Sequence, residues 1–391
     1  MVANVKDKAV IVGMGNTPFS KDSGVSELSL AVQAIKTALD DAGLRPGDID
    51  GMATFTMDTN DEIEVARALG AGELTFYGRS HYGGGAATGI LHQAVMAIAT
   101  GMAETVVCYR ALNGRSGHRY SEGVSGEITT TDAIHWGWYM PYGLLTPASW
   151  VAMFTQRWMH NTGVTKDAMF EVARSTRDYA ANNPAAFFHG RTFDRSEYDA
   201  ARMIADPLQL YDCCQESDGG SAVIVTTPER ARDLRQPGVS IRGVAQCAAR
   251  DQEQMTSFYR EEFAAIPEME RAARDVYAMS GMGPDDIDAS VIYDAFSPIV
   301  LWQLETWGFC GFGESGDFVR DGALRADGRL PTNTHGGQLS EAYIHGVNGL
   351  VEATRLVRGT SVNQPGKEVS NVLVTSGAGI PTGGAILGKL Q

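Results

Sequence analysis

One short segment occurs twice in this chain, and its repetition restricts the folds that are available. The octapeptide GLRPGDID at 43–50 returns as GMGPDDID at 281–288, an offset of 238 residues (281 − 43). Each copy follows apolar residues at helical spacing and precedes an apolar run, 52–55 in the first copy and 290–293 in the second. Each copy therefore predicts a helix, a turn and a buried strand, in that order.

A second pair of segments repeats in the same order. Tyr82 and the glycines after it precede an apolar helical run, and the segment 343–349 precedes another such run at 350–357. A short apolar strand closes each half, at 105–108 and at 372–375. Two spaced matches in one order indicate an internal duplication. Duplicated halves that mix strands with helices predict a layered α/β fold with buried central helices.

The segment from 80 to 101 joins a glycine-rich loop to one of these buried helices. Gly83, Gly84 and Gly85 come directly before apolar residues that are spaced like one face of a helix ending near Gly101. Glycines there let a ligand approach the backbone, and the helix N-terminus offers free N–H groups and a partial positive charge. We therefore expect these three glycines to bind substrate at a developing oxyanion.

The charge balance and the cysteines exclude several functions. A net charge of −15 argues against sequence-independent binding to nucleic acid or to an anionic membrane, although it is compatible with a local pocket for a phosphorylated ligand. Residues 1–8 lack the apolar core of a signal peptide and no apolar run is long enough for a membrane span, so we expect a cytoplasmic protein. The five cysteines form no CxxC pair and indicate neither a disulfide framework nor a metal site. We interpret Cys213 and Cys214 as small core residues.

An apolar run at 9–12 leads into Gly13-Met14-Gly15, which superficially matches a dinucleotide-binding loop. The third glycine of that motif is missing and Asn16-Thr17-Pro18 follows in place of a helix, so we predict a turn at the end of a strand. Next come a Ser26 cap, apolar residues at helical spacing and a Gly43 terminator, which together predict a helix.

The stretch from Asn113 to about Ala200 does not repeat. It is rich in aromatic and turn residues and contains two segments at helical spacing, 147–159 and 166–181. Insertions on a repeated core are usual places for substrate selectivity. We predict an N-terminal half, an inserted loop domain and a C-terminal half; these comprise residues 1–112 completed by about 201–235, residues 113–200, and residues 236–391.

These segments resemble the thiolase superfamily, in particular its lipid-transfer-protein-like (SCP2-type) branch. In that branch a catalytic cysteine stands at the head of the buried helix, at the position of Gly84 here. Tyr142-Gly143, YAANNP at 179–184 and MIADPL at 203–208 are similar to segments of the loop domain that covers the acyl-CoA. The resemblance implies a five-layered αβαβα core and a homodimer.

The other thiolase catalytic segments are present with their reactive side chains exchanged. In Tyr293-Asp294-Ala295-Phe296-Ser297 a tyrosine stands where the SCP2-type branch has histidine. Asn333-Thr334-His335-Gly336-Gly337 is followed by Glu341-Ala342-Tyr343-Ile344, so Tyr343 replaces the second histidine. The segment SGAGIPTGG at 376–384 keeps its glycines, including Gly379, and has no cysteine.

Claisen condensation through an acyl-enzyme needs a thiolate, which this pattern lacks. Three functions stay open: a catalytically inactive acyl-CoA carrier or scaffold, a CoA-dependent thiolase with a relocated nucleophile, and an enzyme that needs only proton transfer. Aldol cleavage of a β-hydroxyacyl-CoA is of the last kind. Two histidines replaced by tyrosines favour it, with Tyr293 and Tyr343 as catalytic residues and Asp294 and His345 in support. A hydrogen-bonded core tyrosine is the alternative for each phenol.

This exchange pattern resembles the actinobacterial steroid side-chain-cleaving aldolases. The resemblance implies retro-aldol cleavage of a 17-hydroxy steroid with a CoA-activated three-carbon side chain, giving androstenedione and propionyl-CoA, although acetyl-CoA as the released thioester stays open. It implies no covalent cofactor, with CoA present only as part of the substrate. It also implies a partner, an OB-fold and zinc-ribbon (DUF35-type) protein that is associated with an acyl-CoA hydratase.

Overall fold

The computed structural model describes residues 5–81, 83–117, 119–122, 137–250, 252, 258, 260, 261, 266–377 and 382–390. Its strands are β1 (Val10–Asn16), β2 (Gly51–Phe55), β3 (Phe76–Ser80), β4 (Thr105–Asn113), β5 (Met203–Ala205), β6 (Leu208–Gln209), β7 (Asp218–Thr226), β8 (Val239–Cys247), β9 (Ala289–Val291), β10 (Asn371–Ser376) and β11 (Thr382–Lys389). Its α-helices are α1 (Glu27–Ala42), α2 (Glu62–Leu69), α3 (Ala86–Ala99), α4 (Pro147–Thr162), α5 (Lys166–Asn182), α6 (Arg195–Asp199), α7 (Pro228–Ala231), α8 (Pro267–Ser280), α9 (Ser297–Thr306), α10 (Ser315–Arg320) and α11 (Val347–Arg358).

The strand order shows the duplication directly. Within the described residues the larger sheet runs β3-β2-β4-β7-β1-β8-β11-β10-β9. The pairs β2/β4 and β9/β10 are parallel, and the pairs that follow them in each half, β4/β7, β7/β1, β10/β11 and β11/β8, are antiparallel. The halves join where Val10 and Ile11 of β1 pair with Ser240 and Val239 of β8. Read outward from the junction, the first four strands of each half therefore have the same topology, and the N-terminal half adds the edge strand β3.

The helices form layers around these strands. Helix α1 packs on β1, β7 and β4, and α8 packs on β8 and β11, so each covers one half from outside. Helices α3 and α11 contact strands of both halves, and their apolar residues share one core cluster with both sets of strands. This arrangement is the five-layered αβαβα core with buried central helices that the duplication and the family resemblance imply.

The repeated octapeptide makes the same hydrogen bonds in both halves. In each copy an aspartate of the turn accepts a backbone N–H at 2.8 Å, Asp48 from Arg45 and Asp286 from Gly283. The final aspartate of each copy accepts the amides at the start of the next parallel strand. Asp50 binds residues 104 and 105, and Asp288 binds residues 370 and 371. The repeat persists in sequence because these carboxylates fix the turn to its strand.

The prediction for Ser26 and Gly43 is confirmed, and the prediction of a turn at 13–15 is wrong. The Ser26 hydroxyl accepts the Ser29 N–H, and Gly43 ends α1 at φ +76°. Residues 13–15 instead continue strand β1 to Asn16. A Cβ on Gly13 would lie 2.2 Å from the Ala38 carbonyl oxygen of α1. The glycines there allow close packing of strand on helix.

The insertion contributes helices that position the C-terminal half. Helix α5 packs against α9, α10 and a π-helical turn at Gly337–Glu341. The two helices predicted at 147–159 and 166–181 are confirmed as α4 and α5, each slightly longer at its end. Among the helices in the described part of the chain, none is long and apolar enough to cross a bilayer.

Candidate active site

Two phenol groups from distant parts of the chain meet beside the head of α3. Tyr293 follows strand β9, and Tyr343 follows the π-helical turn. Their hydroxyl oxygens lie 3.0 Å apart, a distance at which they share a hydrogen bond. Both rings pack on the core cluster of the C-terminal half, and Tyr293 is only 5% exposed. The structure thus brings together the two tyrosines that the sequence nominated.

Gly84 lies directly against Tyr293. A Cβ built on Gly84 would be 1.9 Å from the Tyr293 hydroxyl oxygen and 2.1 Å from its Cζ. Real Cβ atoms do not approach other atoms so closely, so any side chain at position 84 would displace the phenol. The resemblance to thiolases implies a cysteine at position 84, and the phenol occupies the space that such a side chain would need.

Hydrogen bonds fix the backbone that carries Tyr293. Its N–H donates to the Thr375 hydroxyl at 3.0 Å, and its carbonyl accepts the Gln303 amide at 2.7 Å. Just before it, the Asn333 side chain pairs with both the N–H and the carbonyl of Ile292, at 2.8 Å each. Asn333 adopts φ +56°, a conformation that asparagine tolerates. These contacts hold the phenol in one position relative to the helix head.

The Asp294 carboxylate binds the backbone of the π-helical turn. It accepts the N–H of Gln338 at 2.7 Å and that of Leu339 at 3.4 Å. A Cβ on Gly337 would lie 1.9 Å from Asp294 Oδ2, so glycine leaves the room that this carboxylate occupies. Burial raises the pKa of Asp294 to about 7, and the backbone amides oppose that rise. Asp294 thereby fixes the turn that leads to Tyr343, while a supporting role in catalysis stays a prediction.

The segment 333–337 also buries a histidine next to a glutamate. His335 Nε2 lies 3.8 Å from Glu341 Oε2, and both side chains are almost fully buried. Burial lowers the pKa of His335 to about 3 and raises that of Glu341 to about 8, so both are neutral at pH 7. Asn183 and Asn348 donate to Glu341. This cluster connects the end of α5 to the π-helical turn and to α11.

A buried ion pair lies behind the phenols. Arg110 of β4 contacts Asp58 at 2.8 Å, and its Nε donates to His345 Nδ1 at 3.2 Å. The Arg110 charge also opposes the rise that burial causes in the pKa of Tyr120, whose ring meets the edge of the Tyr343 ring at a centroid distance of 6.1 Å. Burial and the Arg110 charge both lower the pKa of His345, so the imidazole is neutral.

Sequence reasoning nominated His345 and missed its neighbours. Arg110 is a charged residue within the apolar strand 105–112. Because a charge is rarely buried without a partner, this pattern could have indicated that Arg110 forms a buried ion pair. Asp58 and Tyr120 lie in polar segments with no distinguishing pattern. Only their contacts with Arg110 relate them to the site.

Burial also sets the protonation state of the phenols. It raises the pKa of both Tyr293 and Tyr343, and the hydrogen bond between them opposes the rise at Tyr293. At Tyr120 burial raises the pKa as well, and Arg110 counteracts it. The two central phenols are therefore neutral hydroxyl groups at pH 7.

The thiols of this chain are held protonated. Burial raises the pKa of all five cysteines, which are Cys108, Cys213, Cys214, Cys247 and Cys310. Cys108 is fully buried in β4, and Cys214 donates its N–H to the Ala295 carbonyl at 2.9 Å. Because the thiolate is the reactive species, thiols in this state are poor nucleophiles. These surroundings agree with the interpretation of Cys213 and Cys214 as packing residues.

The start of the C-terminal glycine-rich segment lies at the head of α3. Ser376 donates to the Gly85 carbonyl at 2.8 Å, and its hydroxyl is also bonded to that of Thr88. Gly379 and Tyr82 lie outside the described residues, so a role for Gly379 in binding the substrate stays a prediction. The amides of Gly84 and Gly85 precede the first turn of α3, where N–H groups have no intrahelical acceptor.

Comparisons with known proteins match this chain along nearly its whole length. The model of the thiolase C-terminal domain-like family matches residues 249–389. A steroid side-chain-cleaving aldolase of Thermomonospora curvata is 56% identical over 382 residues, which cover 97% of each chain. A 17-hydroxy-3-oxo-4-pregnene-20-carboxyl-CoA lyase of Mycobacterium tuberculosis is 52% identical over 383 residues, 97% of this chain and 99% of that one. The solved structure of an Ltp2-ChsH2(DUF35) aldolase matches with a TM-score of 0.95 at 54% identity, over 100% of both chains.

The fold and these relatives define a carbon–carbon lyase of the thiolase-like class. Similarity along nearly the whole chain narrows that class further. The chain belongs to the family of steroid side-chain-cleaving aldolases. The predicted fold class and enzyme class are both confirmed.

Proposed function

We propose that this chain catalyses retro-aldol cleavage of a 17-hydroxy-3-oxo-steroid whose three-carbon side chain is a CoA thioester. The products are a 17-ketosteroid, androstenedione, and propionyl-CoA. One observation carries this proposal: the Tyr293 hydroxyl lies against Gly84 at the head of α3 and bonds to the Tyr343 hydroxyl at 3.0 Å. The names of the relatives from T. curvata and M. tuberculosis support the choice of a steroid acyl-CoA.

The two phenols supply the proton transfers that the reaction needs. The substrate hydroxyl gives its proton to one phenol oxygen as its C–O bond becomes a carbonyl and the adjacent C–C bond breaks. The electron pair of that bond passes into the thioester enolate. In the same step the first phenol passes its own proton along the hydrogen bond between Tyr293 and Tyr343, and the partner phenol gives its proton to the enolate α-carbon, so that this concerted relay restores both hydroxyl groups. No net charge forms on the pair, which suits phenols whose pKa burial has raised.

The head of α3 would hold the thioester during cleavage. In this proposal Gly83, Gly84 and Gly85, with Gly379 from the C-terminal segment, surround the thioester oxygen. Backbone amides and the dipole of a 14-residue helix stabilise negative charge on that oxygen as the enolate forms. CoA enters only as part of the substrate.

We also propose a cytoplasmic homodimer that works with a DUF35-type partner. Within the described part of the chain, strand β3 is an edge of the sheet and Tyr77 on it is 61% exposed, so this edge could pair with a second copy. The matching Ltp2-ChsH2(DUF35) aldolase supports a partner of the DUF35 type. That partner would carry the OB-fold and zinc ribbon and be associated with an acyl-CoA hydratase.

Conservative substitutions test the phenols. We expect Tyr343→Phe to abolish release of the 17-ketosteroid, with Tyr293→Phe similar or milder, while acyl-CoA binding and the unfolding midpoint change little. Tyr179→Phe is the matched control, because among the described residues that buried hydroxyl bonds to the Leu324 carbonyl in the core and to no other group. Ketone and acyl-CoA are identified by mass after incubation with the steroid thioester, with and without a DUF35 partner.

Two outcomes would support the other candidate functions. Wild-type turnover in both tyrosine variants would return the phenols to a structural role and favour a carrier or scaffold. Release of an acyl group from acetoacetyl-CoA in the presence of free CoA would instead indicate a thiolase with a relocated nucleophile. We expect no thiolase activity, because burial holds the thiols protonated. We expect no wild-type turnover in the tyrosine variants, because each variant removes one hydroxyl of the bonded pair.

A further inference from the structure

The environment of His345 fixes which of its ring nitrogens carries the proton. Nδ1 accepts the N–H of Arg110 Nε at 3.2 Å, so it cannot itself be protonated. The imidazole is neutral, because burial and the Arg110 charge disfavour the imidazolium. The single ring proton must therefore be on Nε2.

The Nε2 atom faces the glycine turn at the head of α3. A Cβ built on Gly83 would have His345 Nε2 as its second-nearest neighbour, at 3.8 Å. Gly84, the next residue, touches the Tyr293 phenol. The Nε2–H group therefore faces the glycine turn where the thioester is proposed to bind. It lies next to Gly83, and the Tyr293 phenol lies next to Gly84.

Arg110 can hold the imidazole in this state because its own charge is neutralised elsewhere. Its side chain is 3% exposed, it donates to Asp58 at 2.8 Å and to the Ala111 carbonyl at 2.7 Å, and its Nε is left for His345. Asp58 in turn accepts the Asn60 amide, so the ion pair is anchored to the loop after β2. A buried guanidinium with this many bonds does not reorient.

We propose that the Asp58–Arg110 pair positions His345 as a hydrogen-bond donor to the thioester oxygen, so that Nε2–H stabilises the enolate. This inference rests on the retro-aldol function proposed above and adds residues to it. The proton stays on nitrogen throughout, and no bond of the imidazole forms or breaks. Arg110 and Asp58 act only through His345 and are positioning residues.

The surroundings of His345 suit a donor rather than a base. Phe55, Tyr120 and Tyr343 pack on its ring at centroid distances of 5.7, 5.6 and 4.8 Å. The ionisable groups that face His345 are Tyr120, Tyr343 and Arg110, and Asp58 is paired with Arg110 on the far side. None of these groups takes a proton from His345 at neutral pH, so the ring remains a fixed dipole aimed at the turn.

Two substitutions of His345 distinguish a role as hydrogen-bond donor from a purely structural role. His345 has φ +51°, which asparagine adopts more readily than glutamine. His345→Asn keeps an acceptor for Arg110 and lacks a donor at the Nε2 position, whereas His345→Gln supplies an N–H close to that position. Loss of one oxyanion donor lowers kcat by about 10²–10³-fold, so we expect that loss for His345→Asn with KM little changed, and kcat within about tenfold of wild type for His345→Gln. A purely structural residue would give the reverse order, and that order would overturn the proposal.

The positioning role of Arg110 has a readout that needs no substrate. Removing Arg110 alone would leave Asp58 buried and unpaired, so the test uses the double variant Asp58→Asn/Arg110→Met. NMR of protein labelled with ¹⁵N-histidine, with His345→Gln to assign the signal, should show the Nε2–H tautomer from pH 5 to 8 in the wild type. In the double variant we expect His345 to titrate closer to its ordinary pKa and kcat to fall on the acid side. An Nδ1–H tautomer in the wild type, or identical titration and pH profile in both proteins, would refute the inference.

The two proposals fail in different ways. If the wild type released no ketone from any β-hydroxyacyl-CoA, the retro-aldol function and the enolate role would both be wrong. The NMR result would still decide whether Arg110 fixes the tautomer. If the wild type cleaved the steroid thioester and His345→Asn did so equally well, only the assignment of His345 would be overturned.

Discussion

Gly84→Ala is the substitution for which the structure gives the sharpest expectation. The added Cβ would lie 1.9 Å from the Tyr293 hydroxyl oxygen, whereas ordinary contact begins near 3.4 Å. The phenol must therefore move by about 1.5 Å (3.4 − 1.9), which breaks its 3.0 Å bond to Tyr343. Overpacking of this kind costs about 1–3 kcal/mol of the free energy of unfolding. A misplacement of roughly 1 Å at a reacting group lowers kcat by about 10²-fold.

The assay separates the steric effect from a general effect of alanine in the turn. Urea unfolding followed by tryptophan fluorescence gives the stability change, and ketone release gives kcat. Gly83→Ala is the control for stability, because its Cβ would meet nothing closer than Met57 Sδ at 3.4 Å, and we expect a change within about 0.5 kcal/mol.

A double-mutant cycle then identifies the clash partner. Once Tyr293→Ala has removed the ring, Gly84→Ala should cost little further stability, so the two changes should be strongly non-additive. Additive costs, or full activity in Gly84→Ala alone, would refute the conclusion that the phenol occupies the space of the thiolase sulfur.

Three further predictions concern stability. Folded Glu341, with a pKa near 8, keeps a proton that the unfolded chain loses above about pH 4.5, so its contribution to the free energy of unfolding falls as pH rises towards 8. In urea unfolding, the midpoint of Glu341→Gln should therefore rise relative to that of the wild type between about pH 5 and pH 8. His335, with its pKa lowered to about 3, contributes stability that is complete above about pH 6.5 and is lost as pH falls, so His335→Gln should flatten the acid side of the same urea profile. Asn333→Ala removes two buried hydrogen bonds at a positive φ and should cost about 2–4 kcal/mol with a parallel fall in kcat, and an unchanged kcat would contradict its role in placing Tyr293.

The duplication could be predicted from the sequence because the repeated aspartates make the same backbone hydrogen bonds in both halves. Asp50 and Asp288 each bind the amides that begin the next parallel strand, so the same short segment is required in both halves. The helix that runs from Ser26 to Gly43 follows from capping contacts within a few residues. Caps of this kind can be predicted from the sequence because the interacting groups are near one another in the chain.

The sequence also determined which reactive groups this protein has: two tyrosines and a glycine where thiolases place two histidines and a cysteine. It did not determine that the glycine at position 84 leaves the room that the Tyr293 phenol occupies. Tyr293 fills the space beside Gly84, and residues 209 positions apart (293 − 84) meet only after both halves have packed around α3. The same limit hid the bond between Arg110 and His345, which are 235 residues apart. Side-chain identity is written in the chain, whereas distance, burial and the protonation states that depend on them arise only when the layers come together.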